Sequence, residues 1–261
     1  MTTPFVLACG TCRSCRRGDQ QVCERQLQPG FTQWGSFAEL VALPRADVNL
    51  VLVPEAVPAD VAAGLGCRFA TAYRAVVQVA RVVAGESVVV HGCGGVGLSA
   101  VMVAVARGAR VYAVDVADVS LALAASLGAI PVPARDVAAL PDLTGGGADV
   151  SLDALGSGAT FAGSLACLRP RGRHVQVGLL LGDEAAPAVA MGRVVAQELQ
   201  LLGSHGMSAT SYPEMLALVA DGTLEPARLL RERIGLAEAP ARLAALGEPG
   251  AGTGGITVIR P

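Results

Sequence analysis

The rhythm of apolar positions changes along the chain. From Met1 to about Pro58 it is irregular, and the stretches with strand character, residues 36–43 and 49–54, are short and set between Gly and Pro signals. This pattern predicts part of a loop-rich β lobe. Over residues 61–80 apolar side chains recur at helical spacing. Beyond that, segments at Ser87–His91, Arg110–Asp115, 130–132, 149–154, 173–178 and 199–203 read as strands, separated for the most part by helical stretches at 98–107, 119–127, 160–168 and 189–198. Strands apolar on both faces are expected under helices, and β–α alternation predicts right-handed crossovers into a parallel sheet. The expected fold class is therefore α/β, a doubly wound parallel sheet. After Gly203 the order changes to helices at 212–221 and 238–246 and a last strand at 255–260, which read as a return to the first lobe. The glycine groups at 145–147 and 250–255 are expected to be short flexible turns, and no internal repeat is present.

Composition sharpens this picture in two respects. At 261 residues the chain exceeds the usual size of one domain, so two units are expected. Hydrophobic residues make up 52% but aromatics only 3%, with 32 glycines, which predicts a core of Ala, Val and Leu threaded by tight turns. A formal net charge of −2 with no block of like charges gives no attraction for polyanions, so nucleic acid is not expected as a partner. Residues 1–10 lack the character of a secretory signal and the apolar run 98–106 is too short to span a bilayer, so no membrane association and a cytoplasmic location are expected.

Four of the seven cysteines fall within the first 23 residues, a distribution unlike that of a disulfide-stapled domain. Cys9, Cys12, Cys15 and Cys23 are spaced C-x2-C-x2-C-x7-C, with Gly10 and Gly18 allowing the backbone to fold back around a centre. Thiolates so arranged can converge tetrahedrally on zinc, and such a site leaves no open coordination position, so its expected role is structural. Arg13, Arg16 and Arg17 are placed to offset the charge of four thiolates. A redox dithiol pair or unrelated free thiols are the alternatives, but neither needs four cysteines at regular spacing.

The strand Ser87–His91 runs directly into Gly92-Cys93-Gly94-Gly95-Val96-Gly97 and a helix. This is G-x-G-x-x-G in the strand–turn–helix setting it requires. Gly92 allows the tight turn, Gly94 lets a pyrophosphate approach the backbone and Gly97 permits close helix packing, with the anion held at the helix N-terminus. The next strand ends at Asp115, whose carboxylate can accept hydrogen bonds from a ribose diol and repels a 2′-phosphate, so NAD is expected over NADP. A tight turn with no ligand and a surface Asp is the alternative.

With these motifs in place the chain resembles the zinc-containing medium-chain alcohol dehydrogenases, from about Pro4 to the C-terminus. The likeness is carried by Cys9-Gly-Thr-Cys12-x-x-Cys15 with Cys23, by Gly35-Ser-Phe-Ala-Glu39, by Gly66-Cys67-Arg-Phe-Ala-Thr71-Ala-Tyr73, by the turn Gly92 to Gly97 and by Asp153-Ala-Leu-Gly156, in that order. The resemblance implies a GroES-like β catalytic domain interrupted by a Rossmann domain, here residues 1–68 and 205–261 around 69–204. It also implies a catalytic zinc beside the nicotinamide, acting as a Lewis acid on an alcohol oxygen during hydride transfer. In the matching segments Cys67 looks like one ligand of that zinc. Thr71, four residues on and so facing the same side of a helix, would touch the nicotinamide ring. Ala154 and Leu155 would flank the adenosine side, and Gly178, Leu179 and Leu180 would line the nicotinamide pocket. A homo-oligomer, dimer or tetramer, paired through the edge strand 199–203 is also implied.

The pattern has gaps. The family's other catalytic-zinc ligands and its proton-relay hydroxyl lie before the four-cysteine cluster, which here starts at Cys9, so the front of the catalytic domain is expected to be missing. His91, His174 and His205 are expected to be packed or hydrogen-bonded imidazoles, and Cys93 and Cys167 structural. The stretch Val116 to Ser120 offers no lysine for the adenosine ribose, so NAD affinity is expected to be modest. The expected function is zinc-dependent, NAD-linked alcohol oxidation on a small-molecule alcohol, aldehyde or ketone, impaired in these residues. Two rivals are a non-catalytic NAD-binding module stabilised by zinc and a zinc-free quinone or enone reductase of the same superfamily.

Overall fold

The computed structural model describes residues 1–246 and 254–261. The chain divides into two compact units, Thr71–Ser204 and Met1–Ala70 with His205–Pro261.

The unit Thr71–Ser204 is built on a six-stranded sheet: β1 (Ser87–His91), β2 (Arg110–Asp115), β3 (Ile130–Pro133), β4 (Ala148–Asp153), β5 (Leu168–Gln176) and β6 (Gln200–Gly203). All neighbours are parallel and the order is β3-β2-β1-β4-β5-β6. The sheet is a Rossmann doubly wound sheet, and its order reverses between β1 and β4, the switch point where such sheets open a crevice for a ligand. Val88, Val89 and Val90 of β1 are fully buried, each contributing roughly 1.5–3 kcal/mol through removal from water. The helix Gly95–Ala106 is buried along Gly97 to Ala104 on every side, which its small residues allow and which a polar stripe would forbid. On one side of β1, Tyr112, Val114, Val132, Leu140 and Cys167 pack with Val89. At the far end of the sheet from the crevice, Asp149 Oδ2 accepts from the Ser87 amide and hydroxyl at 2.8 Å each, and Arg173 pairs with Glu86 at 2.6 Å.

In the other unit, β7 (Leu230–Gly235) and β8 (Ile256–Arg260) form a parallel pair. Buried Asn49 stitches the N-terminal segment: its Oδ1 accepts from Ala8 N at 2.7 Å and its Nδ2 donates to the carbonyls of Ala8 and Arg45 at 3.1 Å each. Val57, Val61 and Ala62 pack with Val219 and Leu230 in a small separate core. Tyr212, buried in the helix Tyr212–Ala220, donates its hydroxyl to the Gly66 carbonyl at 2.8 Å.

Several expectations for the chain need correction. Residues 36–43 form no strand, and the 49–54 stretch contributes only the isolated antiparallel bridge Val51 to Thr2. A strand exists only where a second backbone meets its N–H and C=O groups, and among the described residues none does so over 36–43, where Phe37 and Leu40 stand exposed. The pair partner β7 had no signal, because its sequence Leu-Arg-Glu-Arg-Ile-Gly is half charged. The helical stretch is also not uniform: Leu65–Phe69 and Ala75–Val79 are π-helical. The glycine turn expected at 250–255 lies outside the described residues except for Gly254 and Gly255.

Candidate functional site

Each unit carries its own site. In the first, the short helix Arg13–Arg16 and the turns around it bring four sulfurs together, all within 4.8 Å of one another. Cys12 lies 3.4 Å from Cys15 and 3.8 Å from Cys23, and Cys9 lies 3.9 Å from Cys15. Four thiolates placed tetrahedrally at the zinc–sulfur distance of about 2.3 Å would be about 3.8 Å apart, so the cluster has the size of a zinc site. Backbone N–H groups point at the sulfurs, as they do toward thiolates: Thr11 and Cys12 donate to Cys9 at 3.4 and 3.2 Å, and Arg25 donates to Cys23 at 3.3 Å. The Thr11 amide leads in drawing the Cys9 thiol down to about 5, whereas burial, with the neighbouring sulfurs, pushes Cys15 up to about 12. Gly10, at φ +75, makes the tight turn, and a Cβ there would come within 3.0 Å of Val48.

The cation at this cluster is a residue the sequence did not single out. Arg25 places Nη2 3.4 Å from the Cys9 sulfur and 2.6 Å from Thr11 Oγ1, while Arg16, expected to serve the thiolates with Arg13 and Arg17, donates to the Thr11 carbonyl at 2.8 Å. Its position two residues past Cys23 was the available signal.

In the second unit, β1 is followed by Gly92, whose φ of +87 turns the chain sharply toward the helix. Gly97 packs the helix onto that turn so closely that a Cβ on it would fall 1.7 Å from the Gly92 carbonyl oxygen. A Cβ on Gly94 would meet nothing within 4 Å, so this face of the turn is open. The amides of Gly95, Val96 and Gly97, in the first turn of the helix, are free of intrahelical bonds and available to an anion. Asp115, at the tip of β2, is tied to the turn: Oδ2 accepts from Cys93 N at 2.6 Å and Oδ1 from Ala117 N at 2.8 Å. Each oxygen keeps a lone pair for a further donor, so the residues present fit a dinucleotide.

The loops after β4 and β5 continue this line. Ala154 sits beside Gly97, its Cβ 3.5 Å from where a Gly97 Cβ would stand. Gly156 and Gly178 meet face to face: a Cβ on Gly156 would lie 2.5 Å from the Leu179 oxygen and one on Gly178 2.3 Å from the Gly156 nitrogen. Leu155 and Leu179 are exposed above them, and Leu180 leans on the cluster of Phe161, Leu165, Leu168 and Leu199. These loops are shaped by Asp153, fully buried at the end of β4, which accepts from the amides of Leu155 and Gly156 at 3.0 and 2.9 Å. Within the motif Asp153-Ala-Leu-Gly156 nothing in the sequence marks out this role for Asp153, because its partners Thr160 and Gln176 lie outside the motif.

Cys67 is exposed, and it belongs to no group of three or more potential metal ligands among the described residues. It lies in the π-helical turn Leu65–Phe69, where i to i+5 bonding replaces the α-helical repeat that the four-residue spacing assumed. Thr71 is buried. A catalytic zinc therefore does not fit the residues present. A groove of about 1160 Å³ runs along residues 29–44, but its lining, with Trp34, Phe37 and Leu40, holds no titratable or metal-binding group.

The histidines are held in packing. His205 meets Phe5 edge to face at 5.2 Å, and His174 Nδ1 lies 2.8 Å from the Ser164 hydroxyl. His91 is buried at the end of β1, 3.8 Å from the Cys167 sulfur, and burial drives its pKa down to about 4, against a smaller pull upward from Asp153. Because the folded value lies below the unfolded one near 6.5, the stabilisation from neutral His91 is whole above about pH 6.5 and is lost as pH falls toward 4. We expect His91→Gln to flatten the stability profile over that interval by up to about 3 kcal/mol, measured by urea unfolding at several pH values; an unchanged slope would refute it.

Comparison with known proteins locates this arrangement. Residues 95–221 match the family described as zinc-binding dehydrogenase. L-threonine 3-dehydrogenase of Anaeromyxobacter sp. (strain K) is 35% identical over 224 residues, covering 83% of this chain and 62% of the relative, so the chain spans about three fifths of that enzyme's length. The structure of alcohol dehydrogenase TADH from Thermus sp. ATN1 superposes with a TM-score of 0.88 at 32% identity, over 99% of this chain and 78% of that one. A structure from Sinorhizobium meliloti 1021 bound to NADP superposes with a TM-score of 0.86 at 26% identity, over 100% and 76%. A likeness of this depth, running through both the cysteine lobe and the parallel sheet, means that the chain belongs to the zinc-binding dehydrogenase family.

Proposed function

We propose that this chain carries the NAD-binding and structural-zinc parts of a dehydrogenase that converts an alcohol to its aldehyde or ketone, and that the 261 residues alone turn over little or no substrate. In this reading Thr71–Ser204 is the NAD-binding domain, and the other unit is part of a GroES-like catalytic domain. The observation that carries it is the coupling of the open glycine turn to Asp115 across β1 and β2. Bound NAD supplies the hydride acceptor. The chain supplies its seat: Gly94 leaves room for the pyrophosphate, the amides of Gly95, Val96 and Gly97 face it, and Asp115 takes the ribose diol. Ala154 and Leu155 bound the adenosine side, while Gly178, Leu179 and Leu180 bound the nicotinamide side with Thr71. Cys67 is the residue left to a catalytic zinc, and because it belongs to no group of three or more potential ligands among the described residues no metal-assisted step is assigned to it.

A carboxylate at Asp115 opposes a 2′-phosphate, and residues 116–120 bring no cation to offset it. Calorimetric titration is expected to give NAD at least about tenfold tighter binding than NADP, a difference of about 1.4 kcal/mol, with Asp115→Ser narrowing the gap. Tighter binding of NADP would overturn the reading.

The absence of Cys67 from any group of three or more potential metal ligands among the described residues also favours a second reading, a dinucleotide-binding module without turnover. Alcohol-dependent NADH formation by this chain, with L-threonine among the alcohols tried because relatives carry that activity in their names, would exclude it. The substrate otherwise stays at the level of a small alcohol. Pairing of copies through the edge strand β6, where Leu201 is exposed, would give a homo-oligomer.

A further inference from the structure

In the second unit Ser151, Ser164, His174, Gln176 and Asp153 form one hydrogen-bonded line. Ser151 and Ser164 hydroxyls are 2.5 Å apart, Ser164 Oγ is 2.8 Å from His174 Nδ1, and His174 Nε2 is 3.2 Å from Gln176 Oε1. The Gln176 amide nitrogen donates to Asp153 Oδ2 at 3.1 Å and to the Gly178 carbonyl at 2.8 Å. The proton positions follow. Because both acceptors claim the Gln176 nitrogen, its oxygen faces His174, which then donates from Nε2 and accepts at Nδ1 from Ser164. The line is thus polarised toward Asp153, which accepts four bonds in all: from Gln176, from the Thr160 hydroxyl at 3.0 Å, and from the amides of Leu155 and Gly156.

Gln176 is therefore the side chain that joins the loop after β4 to the loop after β5. The backbone pairs the two strand ends, with Val177 N and Gly178 N donating to the Asp153 carbonyl at 3.0 and 2.8 Å, and Gln176 adds the side-chain bonds that tie the Asp153 carboxylate, which shapes the loop after β4, to the Gly178 carbonyl. The sheet order gives this junction its meaning. Read across β2, β1, β4 and β5, the sheet presents Asp115, the glycine turn, Ala154 and Gly178 in succession. A dinucleotide with its first ribose on Asp115 and its pyrophosphate on the turn reaches past the β4 loop, which flanks its adenosine side, to lay its nicotinamide half over the β5 loop.

We propose that Gln176 is a positioning residue for the nicotinamide half of the cofactor, holding the loops after β4 and β5 in the one register that accepts it through Asp153 and the Gly178 carbonyl. The proposal rests on the NAD-binding reading above. A methionine at this position would fill the same volume and keep the strand, so the amide is required only if the loop register matters.

The test compares NAD with ADP-ribose, which lacks the nicotinamide, by calorimetry on the zinc-loaded chain and on Gln176→Met. Loss of three hydrogen bonds, one of them to a carboxylate, is expected to weaken NAD about tenfold and to leave ADP-ribose within about twofold. Equal weakening of both ligands, or no change in either, would overturn the proposal. In the unsubstituted chain, hydrogen exchange supplies a second readout that does not depend on the variant folding. Both ligands are expected to protect Leu155 and Gly156, but only NAD the 178–180 segment, and protection of that segment by ADP-ribose as well would equally overturn it. If the unsubstituted chain bound neither ligand, the NAD reading itself would fall; if both bound and Gln176→Met behaved as wild type, only the role of Gln176 would.

Discussion

Chelation of the purified protein is expected to unfold the N-terminal lobe while leaving the parallel sheet intact, and metal analysis beforehand should return close to one zinc per chain. The reason lies in what else could hold the lobe together. Its local core consists of Ala8 and the four cysteines, with Val48 packed against them, far too little apolar surface to offset the ordering of some forty residues at about 1–2 kcal/mol each. Structural zinc sites contribute on the order of 10 kcal/mol or more of apparent binding energy at neutral pH, and that energy is folding energy. Cys12→Ser should act in the same direction, since Cys12 would be a zinc ligand and its sulfur accepts from Cys15 N at the start of the helix Arg13–Arg16. Hydrogen exchange is the decisive measurement. The amides of Leu7 and Leu27, paired across an antiparallel bridge at 2.8 and 3.0 Å, should lose their protection, while those of β1 and β4 keep theirs. A metal-free protein with undiminished protection at Leu7 would show that thiols alone suffice and that the cluster is not a zinc site.

A second large effect separates folding from binding at the glycine turn. Gly97→Ala should damage both, because its Cβ would fall 1.7 Å from the Gly92 oxygen and 2.8 Å from the Gly92 carbonyl carbon, backbone atoms that cannot step aside. The helix must lift off the turn, at a cost of several kcal/mol, and NAD binding should vanish at millimolar concentration. Gly94→Ala should behave differently. Its φ of −77 is open to any residue and nothing lies within 4 Å, so stability should change by no more than about 0.5 kcal/mol. Yet the added methyl occupies the side from which a pyrophosphate approaches, and NAD affinity should drop on the order of a hundredfold. Thermal unfolding and calorimetry on the two variants make the comparison. Full-strength NAD binding by Gly94→Ala would mean that the open face of the turn is not where the phosphates lie.

How much of this was legible beforehand differs by feature. The C-x2-C-x2-C-x7-C spacing and the strand–G-x-G-x-x-G–helix unit with Asp115 were readable because their chemistry is local: neighbours in the chain become neighbours in space through one turn. Arg25 escaped because which of several nearby arginines meets a sulfur is decided by the fold of the knuckle, and composition alone pointed to Arg13, Arg16 and Arg17. The strand expected at 36–43 failed for the opposite reason. Its apolar content satisfies the pattern of a strand, but no backbone among the described residues pairs with it.

Chain chemistry alone thus determined the α/β class, the convergence of four cysteines and the glycine turn between β1 and its helix, since each follows from periodicity and spacing within a few tens of residues. Tertiary structure decided the strand order that lines up Asp115, the turn and the two later loops, the pairing of β7 with β8, and the polar line from Ser151 to Asp153. Those depend on contacts between segments that the sequence holds apart, such as Gln176 with Asp153 or Ser87 with Asp149. A hydrogen bond of that kind leaves no periodic trace in the chain, because its partner is set by packing and not by spacing.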